Sequence, residues 1–336
     1  MAGRTFEVLW LQAAGCGGCT MALLDRDAGL FDELRALGIR LLWHPSFSEE
    51  TGSAVVDLLA AIERGERPLD ALLIEGAVLR GPHGTGLAQR LAGTGRTMLE
   101  IVRALAPRAG CCVAVGSCAA YGGVSAASPD PMEATGLQFE KDFFGGLLGS
   151  DFRSRNGLPV VNIAGCAPHS GWVVETLTAL AAGALDADGL DAHGRPRFFA
   201  DHLAHHGCSR NEFYEYKASA TAAGERGCLM EHLGCKATQS VGDCNQRSWS
   251  GGGGCTHAGY ACIACTSPGF EDIRGFTTTP KVAGIPVGLP LDMPKAWFIA
   301  LAALSKSATP RRVRDNASAD RTVVPPRGAP PGGGAG

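Results

Sequence analysis

Over the first 185 residues, short apolar runs typical of strands alternate with segments in which apolar residues recur at helical spacing. Short apolar runs predict five strands, over Phe6–Leu11, Ile39–Trp43, Ala71–Ile74, Cys111–Val115 and Pro159–Ile163. Apolar residues at helical spacing predict helices over Thr20–Gly38, Ser53–Arg64, Thr94–Leu105 and Trp172–Ala182. Strands that alternate with helices indicate an α/β protein with a parallel, doubly wound sheet.

The pattern changes near residue 186. Residues 186–305 contain few long periodic segments and many cysteines and histidines, which predicts a smaller, loop-rich domain that folds around metals. A last helix is predicted over Pro294–Lys306. The Pro/Gly-rich tail, 306–336, is typical of a segment that is disordered or that wraps around a partner protein. We therefore expect two domains, 1–185 and 186–305, followed by this tail.

The overall composition is that of an ordinary globular protein, with 45% hydrophobic residues among 336 and a formal net charge of −3. This charge does not favour nucleic-acid binding, which usually brings a basic bias. We see no export signal and no run of the roughly 18 apolar residues that a transmembrane helix needs, so we expect a cytoplasmic location. In that compartment grouped cysteines more often bind metal or catalyse than form disulfides, which disfavours a disulfide-stapled secreted protein.

Three cysteines directly follow predicted strands. Cys16 comes after the first strand, Cys118 after the strand that ends at Val115, and Cys166 after the strand that ends at Ile163. In doubly wound sheets, ligands bind beyond the carboxyl ends of the strands. We therefore expect these three thiols to lie at one edge of the sheet.

The cysteines and one histidine can be grouped into three sets of four ligands. The first set is Cys16, Cys19, Cys118 and Cys166. The second set joins one histidine to three cysteines, and composition alone does not choose among the neighbouring His202, His205 and His206; its cysteines are Cys208, Cys228 and Cys235. The third set is Cys244, Cys255, Cys262 and Cys265. Three cubane clusters need about twelve ligands, so the pattern predicts three iron–sulfur clusters and an electron-transfer protein.

Other interpretations of these cysteines remain open. A thioredoxin-type dithiol explains Cys16 and Cys19 but gives no role to Cys118 and Cys166. Zinc also accepts four thiolates, so a zinc-binding structural module is an alternative. Two of the thirteen cysteines, Cys111 and Cys112, lie outside the three sets and are interpreted as buried strand residues.

In these residues the chain resembles the small, electron-transferring subunit of NiFe hydrogenases. The matching segments run in family order, and they are Trp10-Leu11-Gln12, Cys16-x-x-Cys19-Thr20, Glu75-Gly76, Gly116–Gly123, Gly165–His169, His205-x-x-Cys208, Gly227–Leu229, Leu233–Lys236 and Cys262-x-x-Cys265. The segments Leu41–Pro45 and Pro286–Ala300 are most similar to the actinobacterial-type, high-affinity, H2-uptake group.

The resemblance implies a flavodoxin-like N-terminal domain and three clusters with assigned ligands. The proximal cluster, beside the nickel–iron centre of a separate large subunit, takes Cys16, Cys19, Cys118 and Cys166. The distal [4Fe–4S] cluster takes His205, Cys208, Cys228 and Cys235, which implies His205 among the three histidines. The medial cluster takes Cys244, Cys262 and Cys265, with Cys255 at a variable position.

Departures from the family pattern refine this expectation. Many members have proline where Cys255 stands and keep a three-iron medial cluster, so a cysteine there predicts a [4Fe–4S] medial cluster. Oxygen-tolerant, membrane-bound members carry extra cysteines at the positions of Gly18 and Gly123, so their special proximal cluster should be absent here. The family's acidic residue after the first motif is Met21 in this chain, and Glu75 or Asp25 is a candidate to replace it.

The resemblance implies the electron-transferring subunit of a cytoplasmic hydrogenase. H2 would be oxidised at nickel–iron in the large subunit, because this chain lacks that subunit's paired CxxC motifs, and no catalytic residue is expected in this chain. Electrons would pass through three [4Fe–4S] clusters to a downstream acceptor, and the partners would be the large subunit and a second heterodimer. A free-standing, multi-cluster ferredoxin-like carrier is the alternative from a different class.

Overall fold

The computed structural model describes residues 4–26, 29–247, 249, 253–272, 278–279, 281–282, 285–286 and 294–322. The chain divides into two compact units. The first comprises Met1–Asp201 and Cys265–Asp272, and the second comprises His202–Ala264 and Ile273–Gly336. Residues 287–293 of the family-like C-terminal segment and residues 323–336 of the tail lie outside the described residues.

A five-stranded parallel sheet forms the centre of the first unit. Its strands are β1 (Phe6–Gln12), β2 (Ile39–Trp43), β3 (Ala71–Glu75), β4 (Cys111–Val115) and β5 (Val161–Ile163). They are arranged in the order β2-β1-β3-β4-β5, which is the flavodoxin-like order. The residues of β3 and β4 are all buried, as expected for strands covered on both faces. The predicted fold class is therefore confirmed.

The strands β1, β3, β4 and β5 end in register. Gln12 pairs with Glu75, Glu75 with Val115, and Val115 with Ile163. The loops that follow these residues therefore leave the sheet along one row. Because Cys16, Cys118 and Cys166 lie in those segments, the sheet places them at the same edge.

The helices that accompany the sheet are α1 (Gly18–Leu23), α2 (Leu30–Ala36), α3 (Ser53–Arg64), α4 (Met98–Leu105), α5 (Ser117–Tyr121) and α6 (Ser170–Ala181). The predicted single helix Thr20–Gly38 is wrong, since α1 ends at Leu23 and α2 begins at Leu30. Asp32 and Glu33 lie in the first turn of α2, where acidic side chains favour a new helix N-terminus. The helix predicted from Thr94 begins instead at Met98, after a capping box between Thr97 and Glu100.

Short elements complete the first unit. A turn of α-helix, α7, spans Arg197–Ala200, and 3₁₀ turns span Ala106–Arg108 and Gly123–Ala126. Two small antiparallel pairs join Val78–Leu79 with Ala134–Thr135, and Phe139–Glu140 with Phe143–Phe144.

The second unit has little regular structure, as the sequence predicts. Its helices are α8 (Asn211–Glu215), α9 (Lys295–Ala308) and α10 (Arg311–Ala317), with a 3₁₀ turn at Ala237–Gln239 and a strand pair of Lys281–Val282 with Ile285–Pro286. A small apolar core joins α8 to α10 through Phe213, Ala218, Val313 and Ala317. Within the described residues, no helix has the length and apolar character needed to cross a membrane.

Candidate metal centres

The four cysteines of the first set lie close enough together to influence one another electrostatically. Cys16 lies in the loop after β1, Cys19 in the first turn of α1, Cys118 in α5, and Cys166 in the loop after β5. Burial raises the pKa of the Cys19 thiol, and the charges of Glu75 and of the other three thiols raise it further. Burial also raises the pKa of Cys166, with Cys118 and Cys16 adding to the effect. The structure therefore brings together the four residues predicted for the proximal cluster.

Backbone N–H groups point at these sulfur atoms. The Gly18 N–H donates a hydrogen bond of 3.4 Å to Cys16 Sγ. Burial raises the pKa of Cys118, whereas hydrogen bonds from the Val124 and Ser125 N–H groups lower it. Such donors stabilise thiolates, and hydrogen bonds to sulfur are among the features that set the potentials of iron–sulfur clusters.

Glycines lie against the same thiols. A Cβ at Gly116, where φ is +89°, would lie 2.5 Å from Cys19 Sγ. A Cβ at Gly123, where φ is +52°, would lie 2.9 Å from Cys118 Sγ. A Cβ at Gly18 would lie 3.0 Å from the Sγ of Cys16. The backbone thus approaches the sulfur atoms as closely as glycine allows, which suits loops that wrap a compact inorganic group.

A buried carboxylate, that of Glu75, holds the start of α1. Its Oε1 accepts hydrogen bonds of 3.1 Å and 3.2 Å from the Cys19 and Thr20 N–H groups. Its Oε2 accepts bonds from Trp10 Nε1 and Gln12 Nε2, both 3.2 Å, and from the Thr20 hydroxyl. Since the N-cap residue of α1 makes no side-chain cap, Glu75 satisfies the first N–H groups of this helix. The sequence indicates Glu75 only as a candidate acid near the cluster, and no local signal in it points to this capping role.

His44 extends the network of Glu75 into the core. The Ser46 N–H donates to His44 Nδ1 over 3.0 Å, so the proton of the neutral ring lies on Nε2, which contacts the Thr20 hydroxyl at 3.2 Å. The ring stacks on Phe47 with a centroid distance of 4.1 Å. Burial lowers the pKa of His44 to about 4, although the nearby Glu75 acts in the opposite direction. The sequence signals for His44 were its position directly after a strand and its place in the family-like segment Leu41–Pro45, and neither indicates a contact with Thr20.

The residues of the second set line one cavity in the second unit. Its empty volume is about 320 Å³, and its lining includes His205, Cys208, Cys228 and Cys235. Among the described residues that line it, His205 is the only histidine. Burial raises the pKa of Cys228 to about 12, and Cys235 and Cys208 add to the effect. The structure therefore brings together the four residues expected for the distal cluster.

Three cysteines of the third set also lie near one another in the second unit. Burial raises the pKa of Cys244 to about 12, and the thiols of Cys262 and Cys255 raise it further. The Ala264 N–H donates a hydrogen bond of 3.4 Å to Cys262 Sγ. The fourth residue, Cys265, begins the short segment that belongs to the first unit.

The remaining two cysteines are core residues of β4, as expected. Cys111 and Cys112 are each 1% exposed, and their thiols donate to the backbone carbonyls of Asp70 and Ala106. All thirteen cysteines lie in the described part of the chain, and no disulfide joins any two of them.

The donor sets fit iron–sulfur clusters. They are rich in cysteine and include one histidine, and in all three sets backbone N–H groups donate to the sulfur atoms. Among the residues that the structure describes, no group of three or more His, Cys, Asp and Glu side chains could together hold one metal ion. The fit therefore rests on the donor chemistry, the N–H groups and the glycines.

Comparison with known proteins places the chain in a family. Residues 16–180 match the family described as NADH ubiquinone oxidoreductase, 20 Kd subunit, and residues 201–277 match the C-terminal region of NiFe/NiFeSe hydrogenase small subunits. The first unit and the second unit thus each contain a matched region. The chain belongs to the small subunits of NiFe hydrogenases, which confirms the resemblance seen in its sequence.

Particular relatives support this assignment along most of the chain. It is 32% identical over 291 residues to the F420 non-reducing hydrogenase I small subunit of Methanosarcina mazei, covering 79% of this chain and 73% of that one. It is 32% identical over 276 residues to the periplasmic [NiFeSe] hydrogenase small subunit of Desulfomicrobium baculatum, covering 79% and 84%. The actinobacterial-type NiFe-hydrogenase from Ralstonia eutropha superposes with a TM-score of 0.74 at 27% identity, covering 92% of each chain.

Proposed function

We propose that this chain carries electrons from the oxidation of H2 at a nickel–iron centre, held by a separate large subunit, to an acceptor. Three [4Fe–4S] clusters would serve as the carriers. The observation that carries the proposal is the grouping of Cys16, Cys19, Cys118 and Cys166 at the carboxyl edge of the sheet, where the neighbouring thiols add to the burial that raises the pKa values of Cys19 and Cys166. This is the edge at which doubly wound proteins bind their ligands.

Bound clusters would supply one-electron oxidation and reduction, and the protein would hold and tune them. The first set would hold the proximal cluster, the third set the medial cluster, and the second set the distal cluster. Cys255 would complete a four-iron medial cluster, since its thiol acts on the pKa of Cys244 together with that of Cys262. His205 is a neutral ligand where thiolate is charged, so it would raise the distal potential and draw electrons outward.

The large subunit would cover the edge of the sheet that carries the proximal set. Cys16 and Cys166 are exposed there. Two apolar side chains close to the set in sequence are also exposed, Met21 by 67% and Val124 by 56%. Exposed apolar groups beside exposed thiols are typical of a surface that a partner buries. The pairing of two heterodimers, the identity of the acceptor and the cytoplasmic location stay predictions, and some relatives are periplasmic.

The test is to co-purify the chain with its large subunit without oxygen and to measure metals, sulfide and H2-dependent dye reduction. We expect about twelve iron and twelve sulfide per small subunit, electron paramagnetic resonance signals of reduced clusters, and dye reduction under H2. Zinc without sulfide would instead support the zinc-binding module. Clusters in a chain that captures no nickel-containing partner would support the free-standing carrier.

A further inference from the structure

Arg210 in the second unit directs its guanidinium at three backbone carbonyls. Its Nη1 donates hydrogen bonds of 2.7 Å to the carbonyl oxygens of both Glu225 and Gly227. Its Nε donates a bond of 3.2 Å to the carbonyl oxygen of Thr256. Its own backbone N–H donates over 3.4 Å to Cys208 Sγ. One residue thus joins three segments that are far apart in the sequence.

Each of these segments carries a cysteine of a candidate cluster site. Cys208 is itself in the distal set, Gly227 directly precedes Cys228 of the same set, and Thr256 directly follows Cys255 of the medial set. The planar guanidinium offers five donors in a fixed fork, whereas a lysine ammonium is a point charge on a flexible stem. The geometry therefore depends on arginine and not only on a positive charge.

The charge of Arg210 lies beside the thiols. The side chain lines the cavity of the distal set, and among the described residues no carboxylate forms an ion pair with it. The neighbouring Glu225 carboxylate accepts hydrogen bonds from the Thr221 and Ala222 N–H groups instead.

We propose that Arg210 is a positioning residue that fixes the distal and medial cysteine loops to each other and holds a positive charge at the distal cluster. The proposal rests on the proposed function. A fixed positive charge favours the reduced, more negative state of a cluster and so raises its potential. Arg210 and the neutral ligand His205 then act in the same direction, which favours the distal site as the place where electrons collect.

Two substitutions separate the two roles, each made in the purified, cluster-loaded heterodimer. Arg210→Lys keeps the positive charge but loses the planar set of guanidinium donors. The protein should therefore lose iron several-fold faster on warming, while the potential of the distal cluster stays near its original value. Arg210→Met loses both, so iron loss should be faster and the distal potential, followed by electron paramagnetic resonance in a redox titration, should shift to a more negative value.

The control is Arg312→Met, because Arg312 is a half-exposed arginine of the same unit whose guanidinium pairs with the Glu212 side chain and not with the backbone of a cysteine segment. It should change neither the iron loss nor the potential. Unchanged iron loss in both Arg210 variants would overturn the positioning role, and an unchanged distal potential in Arg210→Met would overturn the electrostatic role. If the Arg210→Met variant holds no measurable distal cluster, the Arg210→Lys variant decides. A shift of its distal potential to a more negative value would contradict the electrostatic role, because the positive charge is kept. A wild-type protein without iron and sulfide would instead overturn the proposed function itself.

Discussion

The side-chain hydroxyl of Ser117 donates a hydrogen bond to the backbone carbonyl of Cys265. The same hydroxyl accepts a bond of 2.9 Å from the Gly165 N–H. Ser117 precedes Cys118, Gly165 precedes Cys166, and Cys265 belongs to the third set. One buried hydroxyl therefore fixes the backbone beside three candidate ligands.

Ser117→Ala should lower the free energy of unfolding by about 1–3 kcal/mol, because it leaves the buried Gly165 N–H without the hydroxyl that accepts its hydrogen bond and removes the bond to the Cys265 carbonyl. It should also loosen Cys265 and reduce the iron retained per chain. Denaturant unfolding and iron analysis of the loaded protein measure the two effects. Ser154→Ala is the matched control, since it removes a buried hydroxyl that, among the described residues, donates to the Leu158 carbonyl, and it should lower stability with no loss of iron. Equal iron loss in both variants would argue against a specific role for Ser117.

Gly116→Ala should prevent assembly of the proximal cluster. The added methyl group would meet Cys19 Sγ at 2.5 Å, and the backbone would also be strained at a φ of +89°. We expect iron analysis to show a loss of about four iron per chain. Gly65→Ala places the same methyl group at a φ of +77° with nothing within 4 Å, so it should cost stability and keep all the iron. Full iron content in Gly116→Ala would show that Cys19 is not a ligand.

Cys255→Ala should convert the medial cluster to a three-iron form, because the remaining three thiols hold three irons of the cubane. Electron paramagnetic resonance of the oxidised protein should gain a three-iron signal, and the iron content should fall by about one per chain. Cys111→Ala, which removes a core thiol of β4, should leave the spectrum unchanged. A four-iron medial cluster in Cys255→Ala would mean that another residue supplies the fourth ligand.

His44 should make the protein less stable in acid. Its pKa is lowered by burial from about 6.5 in the unfolded chain to about 4 in the folded one, so between these values the unfolded state binds the extra proton. Stability should therefore fall as the pH falls through this window, by about 1.4 kcal/mol per pH unit from this residue. The difference in unfolding free energy between wild type and His44→Gln, measured from pH 7 to pH 4, should narrow accordingly.

The sheet was predictable because its strands are continuous apolar runs. The bounds of β2 and β4 agree with the sequence prediction, since covered parallel strands need apolar residues on both faces. The break between α1 and α2 was not found, because Leu23, Leu30 and Leu34 keep an apolar face on both sides of it. The acidic first turn of α2 was the available signal.

The place of Cys16, Cys118 and Cys166 at one edge of the sheet was predictable for a similar reason, since the ends of parallel strands meet there. The groups that support them were not. Glu75 contacts the N–H groups of Cys19 and Thr20 across more than fifty residues of sequence, and Arg210 contacts Thr256 across 46. No local pattern encodes such contacts, because each depends on how distant loops pack. The same holds for Cys265, whose spacing from Cys262 gives no sign that it belongs to the other unit.

Gly123 also limits how this subunit can evolve. The resemblance to the family implies that its oxygen-tolerant members have an extra cysteine at this position. Any side chain here would bring its Cβ within 2.9 Å of the backbone N, the Cα and the Sγ of Cys118, at a backbone φ of +52°. A lineage starting from this chain would have to reshape the loop at Cys118 before such a cysteine brought any advantage.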